Sequence, residues 1–341
     1  MPRRRLATAA ALAAASALVL TGCASSGAGA SDGRIQVVAS TNVYAQIVEE
    51  IGGEFVDATA IVSSSAQDPH AFEPSARDQL AVKRADLIIE NGGGYDAFVD
   101  ALVEASGSAA PVITAAEFSH DWPGNEGHDA ADADADAAAG EEDHSDHAAS
   151  EPTDQAEDEH AEHEHVEGFN EHVWYDPHTM QHLAEEIARE LSSLLPAEAA
   201  TFDAAASTFA EGIAELETRL AAIDTAHAGA EVFATEPVPL YLLEAAGLEN
   251  VTPEAFSEAV EEGQDVAPST LLESLKLLRS GDIGAVIVNS QTGGAETTEV
   301  ISAAEAQSIP VIEFSETLPD GETYLSWMQA NIDALAGALD S

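Results

Sequence analysis

Short runs of β-branched and other apolar residues alternate with helix-forming stretches along most of this chain. Such alternation is typical of α/β proteins with largely parallel sheets, whose binding sites lie beyond the carboxyl ends of the strands. Helices are expected between most of the strands. The predicted strands are 35–40, 56–63, 86–91 and 111–114 in the first half, and 231–235, 283–290 and 310–315 in the second.

One long helix is predicted between the two groups of strands. Residues 197–227 contain no Pro and a single Gly, Gly212, and their apolar residues recur at helical spacing. A helix of about thirty residues spans roughly 45 Å, which is more than the core of one lobe needs. The sequence therefore predicts two (β/α) lobes, at 35–195 and 229–341, joined by a rigid linking helix at 196–228.

The N-terminus has the pattern of an export signal. Three arginines at 3–5 precede an apolar stretch at 6–20 that is too short to span a bilayer comfortably. Leu-Thr-Gly-Cys comes next, which resembles the lipobox of bacterial lipoproteins. We therefore expect a signal peptide at 1–22, a lipidated Cys23 and a flexible tether at 23–34. An ordinary secretory peptide with an incidental Cys is the alternative.

A segment at 120–167 interrupts the α/β pattern. It has no Lys or Arg and almost no large apolar residues, so it cannot bury enough surface to offset the entropy of ordering. We expect a disordered insertion whose histidines bind metal loosely, because they lack a fixed geometry. The histidines of this insertion are His120, His128, His144, His147, His160, His163 and His165.

The net charge limits the possible partners. At −52, the chain is repelled by phosphate backbones, so nucleic-acid binding is excluded and cationic ligands are favoured. The glycines at 92–94 do not fit the G-x-G-x-x-G fingerprint, and a turn after a strand explains them. His178 and His182 lie four residues apart on a predicted helix and could chelate a surface cation, although most such pairs are merely solvated.

Four polar side chains stand where predicted strands end or helices begin: His70, His172, Glu236 and Glu316. Two imidazoles and two carboxylates, two from each lobe, can form a closed shell around a divalent cation. Each residue also has a plainer interpretation. The histidines could be solvated or could cap a helix, and the acids could simply favour the start of a helix.

Several segments, in order along the chain, resemble the metal-specific substrate-binding lipoproteins of ABC importers for zinc and manganese. The resemblance implies two lobes tied by one rigid helix, with His70, His172, Glu236 and Glu316 around a metal in the cleft. Where zinc-type members have His at the third position, Glu236 matches the manganese type, and Glu316 replaces the usual Asp. The segments are DPHAFEPS, ENGGGYDAFV, HVWYDP, TEPVPLYLLEAAGL and TYLSWMQANIDAL.

The resemblance further implies a monomeric binding protein without catalytic residues, held by lipid on the extracytoplasmic face of the membrane, that passes its metal to an ABC permease. Different features of the sequence favour different metals. Two carboxylates favour manganese, whereas the His-rich insertion, which zinc-type members also carry, favours zinc. The Irving–Williams order also favours Zn²⁺ over Mn²⁺, so zinc is the expected metal.

Two other classes of function fit the residues less well. A zinc hydrolase would use two His, one Glu and an open position for water, but the chain lacks H-E-x-x-H and has no obvious spare general base. A cell-surface adhesin or metal store that uses only the insertion would leave the two-lobe frame without a purpose.

Overall fold

The computed structural model describes residues 33–64, 69, 72–125, 166 and 168–341. The predicted signal peptide, the anchor residue Cys23, the candidate ligand His70 and most of the predicted insertion therefore lie outside the described residues. Residues Ile35–Ser341 form one compact unit.

The first half of the chain builds a sheet of four parallel strands. The strands are β1 (Ile35–Thr41), β2 (Val56–Val62), β3 (Leu87–Glu90) and β4 (Val112–Thr114). Their order in the sheet is β2-β1-β3-β4. Val37 in β1 lies opposite Ala58 on one side and Leu87 on the other. Central strands of a parallel sheet are covered on both faces, which is why β1 and β3 are almost entirely buried.

Helices cover both faces of this sheet. They are α1 (Asn42–Gly52), α2 (Ala76–Val82), α3 (Phe98–Ser106) and α4 (Pro177–Leu194). Helix α2 begins with a capping box, in which the Ser75 hydroxyl accepts from the Asp78 amide and the Asp78 carboxylate accepts from the Ser75 amide. The side chain of Asp176 accepts from backbone amides at the start of α4, and Pro177 occupies the first position of that helix.

The long helix α5 (Ala199–His227) has 29 residues, about 44 Å in length. It packs against α4 of the first lobe on one side and against the C-terminal helix of the second lobe on the other. The Gly within it, Gly212, allows a close approach: a Cβ there would lie 2.5 Å from Leu325 of that C-terminal helix. Its buried stripe is Phe202, Ala206, Phe209, Ile213, Leu216, Leu220 and Ile223.

The second half repeats the topology of the first. Its strands are β5 (Glu231–Ala234), β6 (Glu249–Asn250), β7 (Ile283–Asn289) and β8 (Val311–Phe314), in the parallel order β6-β5-β7-β8. Its helices are α6 (Leu240–Ala245), α7 (Glu254–Glu261), α8 (Pro268–Leu278), α9 (Ala295–Gln307) and α10 (Tyr324–Leu339). Neither β6 nor α7 was predicted from the sequence. The predicted fold class, two α/β lobes with parallel sheets and one long joining helix, is confirmed.

Hydrogen bonds between the lobes fix the two sheets with their carboxyl edges facing each other. Asn42, which comes after β1, donates to the Leu318 carbonyl at 2.8 Å and accepts from the Leu318 amide at 2.9 Å. The Tyr324 hydroxyl donates to the Trp174 carbonyl at 2.9 Å. None of the helices in the described ranges combines the length and apolarity that a bilayer crossing requires.

Glu90, the last residue of β3, is expected to make the stability of the folded protein depend on pH. Burial, reinforced by the charge of Asp96, raises the pKa of Glu90 from its ordinary 4.5 to about 7, although Thr114 donates a hydrogen bond to it. In the unfolded chain the group ionises near 4.5. The stability that this group contributes is therefore present below pH 4.5 and is lost as pH rises through this window toward 7.

We expect Glu90→Gln to stabilise the metal-free protein by about 1–3 kcal/mol at pH 8 and by almost nothing at pH 4.5. Glutamine keeps the acceptor for Thr114 but carries no charge. Denaturant unfolding at the two pH values measures the difference, with the exposed Glu104→Gln as the matched control. An equal gain at both pH values would show that ionisation of Glu90 is not the cause.

Candidate metal centre

Three polar side chains meet at the carboxyl edge of the second sheet. Glu236 comes after β5, Asn289 ends β7 and Glu316 comes after β8. Because the strands are parallel and adjacent, their carboxyl ends lie at the same edge. The exposed fractions are only 3% for Glu236, 5% for Asn289 and 1% for Glu316. Two acidic side chains are thus buried beside each other in the cleft.

A single amide group holds both carboxylates. The Asn289 Nδ2 atom donates to Glu236 Oε2 at 3.0 Å and to Glu316 Oε1 at 2.6 Å. The Thr292 hydroxyl also donates to Glu236, and the Tyr95 hydroxyl of the first lobe donates to Glu316 Oε2 at 3.0 Å. These donors are a neutral amide, a neutral hydroxyl and a neutral phenol. They orient the two carboxylates within the cleft.

His172 enters the cleft from the first lobe and is fully buried. Its Nδ1 atom lies 2.8 Å from Asn170 Oδ1, so a proton on Nδ1 leaves the lone pair on Nε2, as in a metal-binding histidine. Asn170 Nδ2 in turn donates to the carbonyl of Pro237, the residue after Glu236. The orientation of the imidazole is therefore fixed by the same backbone segment that carries a candidate ligand of the other lobe.

Two further carboxyl groups in the cleft, Glu171 and Glu261, were not predicted from the sequence. Among the described residues, the ligand atoms of Glu171, His172 and Glu261 all lie within 4.8 Å of one another. Glu261 Oε1 lies 3.8 Å from His172 Nε2. Burial raises the pKa of Glu261 from 4.5 to about 9, and the charges of Glu171, Glu236 and Glu316 add to the effect. The cleft therefore gathers several acidic side chains, and Glu261 is protonated at neutral pH.

Two cleft residues that were not predicted, Asn289 and Glu261, differ in whether the sequence contains a pattern that could have identified them. Asn289 ends a central strand, so the rule that selected Glu236 and Glu316 applied to it as well. Glu261 ends a helix of 8 residues that was not predicted, and nothing in its local sequence indicates which lobe it faces. Only the packed structure brings it to His172.

The four predicted ligands are only partly described. The structure places His172, Glu236 and Glu316 around one cleft, since Tyr95 both packs its ring against His172, at 5.9 Å between centroids, and bonds Glu316. The group of described residues whose ligand atoms lie within 4.8 Å of one another contains His172 but neither Glu236 nor Glu316. His70 lies outside the described residues. The complete four-residue shell stays a prediction.

A buried imidazole nitrogen beside several carboxylate oxygens is suited to a divalent transition metal. The family model described as ZnuA, zinc-uptake complex component A periplasmic, matches residues 37–338, which include both sheets and every described residue of the cleft. The chain belongs to this family. Its members are components of metal uptake, so the predicted family is confirmed.

Individual relatives are named for both metals. The zinc-binding lipoprotein AdcA of Streptococcus pneumoniae is 24% identical over 338 residues, covering 96% of this chain. The chain spans 60% of the length of AdcA. The manganese ABC transporter substrate-binding lipoprotein PsaA of Streptococcus mitis is 38% identical over 94 residues, which are 26% of this chain and 30% of PsaA.

A solved structure shares the fold. The periplasmic zinc-binding protein TroA of Treponema pallidum superimposes with a TM-score of 0.65 at 17% identity, covering 90% of this chain and 99% of TroA. At this identity the likeness supports the arrangement of two lobes and not the choice of metal.

Proposed function

We propose that this chain is an extracytoplasmic solute-binding protein that captures a divalent transition metal in the interlobe cleft and delivers it to an ABC importer. One observation carries the proposal: Glu236 and Glu316 are buried side by side at the carboxyl edge of the second sheet, and Asn289 holds both of them. Burying a charge costs several kcal/mol per ion unless an opposite charge accompanies it. A bound divalent cation supplies that opposite charge.

The proposed ligands have distinct roles. His172 Nε2, turned by Asn170, gives the nitrogen that favours transition metals over Mg²⁺ or Ca²⁺. Glu236 and Glu316 give the negative oxygens, and His70 is the proposed fourth ligand. Glu261 stands beside His172, and with its pKa raised to about 9 it is protonated at neutral pH in the metal-free protein.

We infer that zinc is the cargo, with manganese as the second candidate. The Irving–Williams order and the His-rich segment support zinc. The two carboxylates support manganese, and related proteins such as AdcA and PsaA are named for either metal. The proposal is tested by competition calorimetry of the metal-free protein with Zn²⁺ and Mn²⁺. One tight site that prefers zinc is expected, and a protein without a tight site would contradict the proposal.

We also propose that a lipid on Cys23 holds the protein on the outer face of the cytoplasmic membrane, where it works as a monomer with its permease. The lipobox-like segment before Cys23 supports this location, and relatives such as AdcA are named lipoproteins. Mature protein that carries no lipid and stays out of the membrane fraction would contradict it.

Exchanging one carboxylate for an imidazole should change the choice of metal. We expect Glu236→His to raise the preference for zinc over manganese on the order of tenfold or more, because imidazole suits zinc and carboxylate suits manganese. Competitive titration with both metals measures the ratio. Glu313→His places the same imidazole at an exposed position of β8 and should leave the ratio unchanged. A shift of equal size in both variants would count against a direct role of Glu236.

A further inference from the structure

We propose that His178 and His182 form a second metal site, on the surface of α4, for a divalent transition metal such as Zn²⁺. The two residues are one helical turn apart, and their Nε2 atoms lie 3.2 Å from each other. Their ring centroids are 4.7 Å apart, with an angle of 88° between the ring planes. The site lies outside the cleft and goes beyond the proposed function.

The spacing of the two nitrogens matches that of a chelated ion. Two imidazole nitrogens bound to one zinc ion at about 2.0–2.1 Å and at a tetrahedral angle are about 3.3 Å apart. The observed 3.2 Å therefore requires almost no rearrangement of either side chain. A hydrogen bond between the two rings would give the same distance, so the response to added zinc decides between the two. The surroundings of the other ring nitrogens add support for the chelate.

Those other nitrogens both face carboxylates. His178 Nδ1 lies 3.7 Å from Glu217 Oε1 on α5, and His182 Nδ1 lies 3.6 Å from Glu185 Oε2 on α4. Histidines that bind metals commonly donate the second ring N–H to a carboxylate. Carboxylates at these distances can orient the two rings, and they add negative charge beside a cation held between the Nε2 atoms.

The exposure of these residues suits an exchangeable site. The side chains of His178 and His182 are 56% and 34% exposed, so water can fill the coordination positions that the protein leaves open. The opposite face of α4 is buried, through Met180, Leu183 and Ile187. Because the helix is anchored by that face, the two imidazoles are held on a rigid support.

Zinc-dependent protection from diethyl pyrocarbonate, read residue by residue by mass spectrometry on the full chain, tests the site. We expect zinc to protect His178 and His182 together, whereas Mg²⁺ protects neither. His178→Gln should abolish the protection of His182, and Glu217→Gln should move its midpoint to about tenfold higher zinc. His227, which lies 3.2 Å from Asp340 and has no second imidazole beside it in the described chain, is the control and should stay reactive.

The proposal is overturned if His182 stays protected in His178→Gln, since a chelate needs both rings. It is also overturned if zinc leaves both residues as reactive as His227. His178→Gln should keep the tight cleft site in calorimetry, because the pair lies on the exposed face of α4, whereas His172, Glu236 and Glu316 are buried. If zinc does not protect His178 and His182, the surface site is excluded and the proposed cleft function is unaffected. If the natural protein has no tight site in calorimetry, the cleft function is excluded and the surface site is unaffected.

Discussion

Replacing His172 by alanine is expected to lower the affinity of the protein for zinc by more than about 100-fold. Changes in residues that only support a ligand already cost roughly 10–100-fold, and His172 Nε2 is proposed to bind the metal directly. The ring is fully buried and is oriented through Asn170, so its Nε2 atom is held in one position. Competition against a chromophoric chelator measures the loss.

The control for this experiment must separate binding from folding. The His172 ring packs against Trp174, with 5.1 Å between centroids, so alanine leaves a cavity in the metal-free protein as well. His172→Gln fills most of that space without the imidazole and should lose affinity to a similar extent. Thermal unfolding in excess chelator reports the stability of each variant. A variant that folds normally and still binds zinc tightly would remove His172 from the site.

The second large effect is expected at Glu316. Glu316→Gln keeps the size of the side chain and removes its charge, and we expect zinc affinity to fall by roughly 100-fold, as for loss of a direct ligand. Glu261→Gln, which changes a carboxyl group of raised pKa beside His172, is expected to cost less than about tenfold. The two variants are matched in chemistry and differ only in position.

The ranking of these two variants is the decisive measurement. If Glu261→Gln proves the more damaging, Glu261 rather than Glu316 completes the shell, and the inferred position of the metal shifts toward the cluster around Glu171. Isothermal titration in the same buffer, with Glu313→Gln as an exposed control, gives the comparison. Equal and small effects would exclude both carboxylates as direct ligands.

The parts of the fold that depend on local pattern could be predicted from the sequence. The strands with long apolar runs, the capping box at Ser75 and the uninterrupted helix before β5 each have a local cause, and each is present. The two-residue strand β6 and the eight-residue helix α7 are too short to be recognised from their sequence pattern. Because α7 was not predicted, Glu261 was not predicted either.

The candidate site divides in the same way. Glu236 and Glu316 were found because they come directly after strands, and strand ends can be recognised from sequence. The hydrogen bonds between Asn42 and Leu318 join residues 276 positions apart in the sequence, and the hydrogen bond from Tyr95 to Glu316 joins residues 221 positions apart. Such pairs depend on how the two lobes meet, which no local pattern contains. The roles of His70 and of the insertion at 120–167 stay predictions.

The bonds between the lobes also bear on the kinetics of the proposed site. Asn42 with Leu318 and Tyr324 with Trp174 tie the lobes on one side, and Asn170 with Pro237 ties them next to His172. An ion surrounded by side chains as buried as these cannot leave unless some of those bonds break first. We expect a long residence time for bound metal, set by this opening step rather than by the metal–ligand bonds alone. Fast unloading would then require the transporter itself to pull the lobes apart.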